Sequence, residues 1–158
     1  MISRIKIILL ILLIGLVTGC SQLNSYQAGI YDDDAKIANQ GDSYTFANRL
    51  GSIKETSLHL EFGGFYGKQT VWTIEANEKG IVWLDVEIKL DGGRFKICLV
   101  DANREVTVIA ENETDEVIQV EVPQGKNYLV LVGKNAKGNA RISLRIDENK
   151  RIEIELVN

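Results

Sequence analysis

Covalent and catalytic chemistry need particular side chains, and this 158-residue chain holds few of them. There are two cysteines, Cys20 and Cys98, and one histidine, His59. Cys20 closes the run Leu16-Val17-Thr18-Gly19-Cys20, where its thiol follows two small residues and is open to thioether formation. If Cys20 is consumed there, Cys98 has no partner for an internal disulfide. Cys98 then reads as a small residue packed in a strand, or as a reactive thiol with Lys96 two positions away on the same strand face. His59 would have to be the base of any Ser/His/Asp or Cys/His arrangement. It falls on the polar face of a strand, and no Gly-x-Ser-x-Gly turn accompanies it. One histidine and one spare cysteine do not make a typical zinc site. Asp85 and Glu87 form a carboxylate pair, but glycoside hydrolysis needs such a pair in a cleft with its pKa values split. Alternating acids on a strand face are ordinarily solvated. Asp32-Asp33-Asp34 offers oxygens to a hard cation but lacks the spaced pattern of a calcium loop. No catalytic residue, metal or cofactor is assigned from these residues.

Aromatic side chains offer a different chemistry. Gly63-Gly64-Phe65-Tyr66-Gly67-Lys68 reads as a glycine-rich loop carrying two rings, and Trp72 and Trp83 come from strands read as neighbours. Exposed rings stack on sugars, and glycine lets a ligand approach the backbone. Phe65, Tyr66, Trp72 and Trp83 are therefore the candidate ligand-binding residues. The alternative is that the rings cap or fill the fold.

These residues must be placed by what surrounds them. Arg4 and Lys6 precede an uncharged aliphatic run from Ile7 to Val17. That run is shorter than the ~20 residues a membrane-spanning helix needs. A positive start, a short apolar stretch and small residues at its end mark a cleaved export signal. With Cys20 at its close, the segment resembles the lipobox of bacterial lipoproteins. The resemblance implies a signal peptide over residues 1–19 and a diacylglyceryl group on Cys20. It also implies attachment to the extracytoplasmic face of the cell membrane, or to an outer membrane if the cell has one. Two acyl chains anchor stably where one would not.

Residues 20–158 number 139, one domain by length. Without Arg4 and Lys6 they hold 16 basic against 22 acidic residues. An acidic surface excludes nucleic acid, which needs a basic footprint. Residues 20–41 lack hydrophobic periodicity and read as a flexible spacer lifting the domain off the membrane.

From residue 42 onward the chain reads as strands. Val82, Leu84, Val86, Ile88 and Leu90 alternate with Trp83, Asp85, Glu87 and Lys89, the period of a half-buried strand. Asp91-Gly92-Gly93 then signals a hairpin. Similar runs cover residues 56–62, 70–76, 94–100, 106–109, 117–122, 127–132, 140–146 and 151–156. Asp101-Ala102-Asn103-Arg104 and Pro123-Gln124-Gly125-Lys126 are turns between them, and residues 134–139 form a loop. Nine or ten short strands without a convincing mature helix predict an all-β fold. A jelly-roll-like β-sandwich over residues 42–158 is favoured, with a closed barrel as the alternative.

The run from Val120 to Gly133, with Pro123-Gln124-Gly125 and Tyr128-Leu129-Val130-Leu131, resembles the closing hairpin of bacterial pre-peptidase C-terminal domains. Those are exported jelly-roll sandwiches, so the likeness, over roughly residues 70–146, implies the same fold. It departs at Lys126-Asn127, where the family has one small residue before the aromatic. The expected role is a non-catalytic binding or scaffolding module of the cell envelope, with a glycan or an envelope protein as partner. A carbohydrate-binding module using the four aromatics is the alternative, and an envelope hydrolase using Glu87 or His59 is the third.

Overall fold

The computed structural model describes residues 25–146 and 152–157. The export signal and Cys20 lie outside them. A short helix, α1 (Asp34–Ala38), precedes eight strands: β1 (Ser43–Thr45), β2 (Asn48–Ile53), β3 (Ser57–Ala76), β4 (Gly80–Val100), β5 (Val106–Glu111), β6 (Thr114–Val122), β7 (Gly125–Ile146) and β8 (Ile152–Leu156). All pairings among them are antiparallel. The all-β sandwich expected from the alternating runs is the fold that forms.

Its construction differs from the expected string of short strands. β3, β4 and β7 are 20, 21 and 22 residues long. At about 3.3 Å per residue each would reach roughly 65 Å if straight, far beyond the width of a domain this size. Each bends instead and serves two layers. In the first leaf the order is β2, β3 over residues 57–62, β7 over 138–146, β4 over 80–90, then β6. In the second it is β1 and β8 side by side on one edge of β3, then β3 over 65–76, β7 over 125–133, β4 over 94–100, and β5. No pairing joins β5 to β6 among the described residues, so the sheet does not close into a barrel.

The bends explain three sequence signals that read as turns. Asp91-Gly92-Gly93 is no hairpin: it lies inside β4, where the register with β7 shifts between Leu90 and Arg94. Gly63 to Lys68 is no loop but the bend of β3, with register shifts from Phe62 to Gly67. Residues 134–139 are the matching bend of β7. A bulge and a tight turn ask for the same residue, one that tolerates positive φ. At Gly93 φ is 73°, and a Cβ there would lie 2.0 Å from the Asn135 carbonyl oxygen; at Gly138 it would lie 2.1 Å from that of Lys89. The two backbones therefore clasp where both strands turn.

The chain's four phenylalanines gather at this corner. Phe46 stacks on Phe65 at 4.4 Å and Phe62 on Phe95 at 5.0 Å, with Phe65 edge-on to Phe62 at 6.1 Å. From there the core runs between the leaves through Leu58, Leu60, Trp72, Ile74, Val82, Leu84, Val86, Ile97, Leu129, Leu131, Ile142 and Leu144, all buried.

A second apolar cluster lies on the outer face of the second leaf. Ile30, Tyr31 and Ile37 pack on Cys98, Val100, Val130 and Val132. Within residues 25–41 the expected spacer is thus corrected: the segment is a strap folded onto the sheet. Asp33 caps α1 by accepting from the Lys36 amide at 3.2 Å, Asp34 sits in its first turn, and Asp32 pairs with Arg94 and Lys134 at 3.0 and 2.6 Å. The acidic triplet is a tether, a cap and a dipole partner. The folded unit begins at least as early as Ser25 rather than at residue 42.

Two outcomes follow. Truncating Phe65 to Ala removes a fully buried ring and should cost about 3–5 kcal/mol in urea unfolding, whereas Trp83→Ala, exposed on the first leaf, should cost under about 1 kcal/mol. Burial pushes the Cys98 thiol up to about 12, so it should stay unlabelled by a thiol reagent at pH 8 until denaturant is added; labelling at a free-thiol rate in the native state would contradict its placement.

Candidate functional site

The four candidate aromatics do not come together. Phe65 and Trp72 are wholly buried, Tyr66 is half-buried, and of the four only Trp83 is exposed, at 39%. Trp72 fills the core and donates its indole N–H to the Lys54 carbonyl at 2.9 Å. β3 and β4 are not neighbours, because β7 runs between them, and Trp72 and Trp83 lie on different leaves. The single platform expected from Phe65, Tyr66, Trp72 and Trp83 is therefore corrected to one exposed ring, Trp83, beside Gln119 of β6 and Arg145 of β7 in register.

The residues weighed for catalysis are equally dispersed. His59 is exposed on the outer face of the first leaf, opposite Arg141 and Ser52. Glu87 accepts from Lys89 and from Arg141, the latter at 3.1 Å. The Lys89 hydrogen bond, before all else, holds its carboxyl below the ordinary range, which suits a surface ion pair and not a general acid. Cys98 lies on the other leaf beneath the strap.

Among the described residues one concave site lies on the second leaf, where the strap leaves part of the sheet's outer face open, and another of about 610 Å³ lies between β5 and β6, lined by Thr107, Ile109, Ile118 and Val120. Strand register builds the floor of the first. Thr70 of β3 pairs with Val130 of β7; one row further, Thr73 faces Tyr128, and Tyr128 faces Val100 of β4. The segment from Ile37 to Asp42 forms one wall, and the 101–104 turn and Lys126 form another. The enclosed groove measures about 580 Å³, within the range of small-molecule sites. A smaller cavity of about 370 Å³ adjoins it across Asn39–Asp42 and reaches Tyr26, Ile30 and Lys36.

Polar groups rim this apolar floor. Asp42 accepts from Thr70 twice, at its amide (2.9 Å) and hydroxyl (2.7 Å). Asp101 accepts from the amides of Asn103 and Glu105, both at 2.8 Å, which folds the turn and leaves Arg104 at φ 66° on the groove's edge. Lys68 is buried and donates to the carbonyls of Ile37 at 2.8 Å and of Asn39, stapling the end of α1 to β3. Burial pulls its ammonium below the ordinary lysine range, with the Asp42 charge opposing.

The groove escaped the sequence because its parts come from five separate segments. One signal did point to it. Phe95 to Val100 and Leu129 to Val132 are apolar almost without alternation, the pattern of strands covered on both faces. The outer cover had to come from elsewhere in the chain.

No family model matches the chain, and no curated protein matches it. Among solved structures, it is similar to a family 35 carbohydrate-binding module, Xyl-CBM35, solved with a glucuronic acid-containing disaccharide: TM-score 0.37 and 17% identity over 76% of this chain and 85% of that one. A second family 35 module, from an environmental isolate, gives 0.35 and 17% over 75% and 84%. A Shewanella oneidensis protein gives 0.28 and 15% over 75% of each chain.

The strap carries its own pH response. Asp32 is held low chiefly by the Lys134 hydrogen bond, Asp33 by that of Lys36, and Glu111 by that of Tyr31. Carboxylates depressed in the folded state stabilise it above their unfolded pKa, near 4, and that contribution is lost as pH falls through the lower folded values. Amide exchange of residues 30–38 should therefore accelerate below about pH 4 before that of β4 and β7; simultaneous loss of both would show that the strap is not separately titrated.

Proposed function

We propose that this protein is a non-catalytic binding module held at the bacterial cell envelope by a lipid on Cys20, and that the groove on its second leaf takes a small hydroxylated ligand of saccharide size. The observation that carries the reading is the groove itself: about 580 Å³, floored by Val100, Tyr128 and Val130 and rimmed by Thr70, Thr73, Asp42 and Lys126. A sugar presents an apolar ring face and a belt of hydroxyls, and such a site matches both. The anchoring follows from the Leu16–Cys20 motif. Only residues 21–24 lie between Cys20 and the described fold, a reach of about 17 Å at full extension. The domain would therefore sit on the membrane surface and not above it.

The outer face of the first leaf supports a second reading, docking of an envelope protein. Trp83 and Val117, 39% and 52% exposed, lie there on adjacent strands.

Calorimetric titration with cell-wall glycan fragments and neutral oligosaccharides tests the groove. Binding by one glycan class, weakened about tenfold by Tyr128→Ala and untouched by Trp83→Ala, is expected. The reverse pattern would move the site to the first leaf. Intact mass of the protein from bacterial membranes tests the anchor: a diacylglyceryl adduct on Cys20, absent in Cys20→Ala, is the expected result.

A further inference from the structure

The chain as a whole is acidic, with 22 acidic against 18 basic residues. The groove reverses this balance. Its charged lining is Lys68, Arg104 and Lys126 against Asp42 and Asp101. Both carboxylates are engaged, Asp42 by Thr70 and Asp101 by the amides of its own turn. The cations are not comparably matched. Among the described residues no ion pair involves Arg104, Lys126 or Lys68.

Lys68 carries the argument furthest. It is 4% exposed, and its hydrogen-bond partners are two neutral carbonyls. An ammonium has three donors, so one remains, at a side chain that lines both the groove and the adjoining cavity. A charge withdrawn from water calls for an opposite charge as well as dipoles, and the one that acts on Lys68, Asp42, forms no ion pair with it and has both oxygens engaged by Thr70. Arg104 brings a forked donor suited to a tetrahedral oxyanion, and Lys126 adds a third positive charge.

We propose that the groove is an oxyanion site that takes a phosphate-type group of its ligand on Lys68, Arg104 and Lys126, with the rest of the ligand lying on Tyr128, Val100 and Val130. This rests on the reading of the groove as the binding site. Phosphate chemistry could reach it from a free phosphate ester or from a lipid headgroup, since the strap that walls the groove begins within five residues of Cys20.

The test is an amide-resolved NMR titration of the full-length protein in an uncharged polyoxyethylene detergent. One arm adds inorganic phosphate or glycerol phosphate against chloride at matched ionic strength. The other adds phosphatidylglycerol to the micelle. Saturable shifts at Gly41, Asp42, Lys68 and Arg104 are expected in at least one arm, and the tighter arm identifies the source. The pair Arg104→Gln and Lys126→Gln, both exposed and in no side-chain ion pair among the described residues, should weaken binding about tenfold for each contact removed. Lys68→Met should weaken it further, but it also unpins the strap, so the exposed pair decides. No saturable shift in either arm, or equal affinity in the double variant, overturns the proposal. If neutral oligosaccharides still move the groove signals, only the oxyanion inference falls; if they do not, the groove reading falls with it.

Discussion

The fold depends on three strands turning one corner together. β3, β4 and β7 each pass from one leaf to the other, so neither leaf exists without the bends at residues 62–67, 90–94 and 133–138. Two constraints hold those bends. The backbones of β4 and β7 approach so closely that Gly93 and Gly138 leave no room for a side chain. Inside the turn, Phe46, Phe62, Phe65 and Phe95 fill the space that curvature creates. Gly133 completes the fit, since a Cβ there would enter the Phe65 ring at 2.3 Å.

The second leaf is built differently from the first. Its central strands are apolar on both faces, and the outer face gains its cover from the strap. Polar contacts set where the strap lies: Tyr31 donates to Glu111 at 2.8 Å, Arg94 stacks over the Tyr31 ring at 4.4 Å while pairing with Asp32 and Glu111, and Lys68 holds the end of α1. Burial and the Glu111 hydrogen bond keep the Tyr31 phenol protonated far above its ordinary range. The strap packs on Cys98, Val100, Val130 and Val132, and beside it Val100, Tyr128 and Val130, with Thr70 and Thr73, line a groove. The site exists because the cover is incomplete.

Much of the fold was legible in the sequence, and the reasons for the gaps are specific. Alternation from Val82 to Leu90 identified a half-buried strand because the period of side chains is a local property. Gly92-Gly93 misled because a bulge and a hairpin demand the same backbone freedom, and the partner that distinguishes them, Asn135, lies some forty residues away. Alternation with Val82 and Leu84 put Trp83 on the outer face, where it lies, but gave no such guide for Trp72: a bulge between Thr70 and Trp72 changes which side of β3 faces the core. The strap was missed because Ile30, Tyr31 and Ile37 follow no simple period. The groove needs the sheet register, and register across strands distant in sequence is not a local property.

The strap also defines how the molecule would bear load. A pull on the chain from its N-terminal side meets α1 and its contacts first, and these lie across the outer face of the second leaf. Those contacts run in chain order from Tyr31 and Asp32 to the Ile37 carbonyl on Lys68 and to Asp42 on Thr70. The ladders of β3, β4 and β7 bond to one another over most of their lengths and are braced at the corner. Tension would thus be absorbed by a sacrificial seam, and the groove wall from Ile37 to Asp42 belongs to that seam. A pull along the N-terminal segment would disturb the groove before it reached the core.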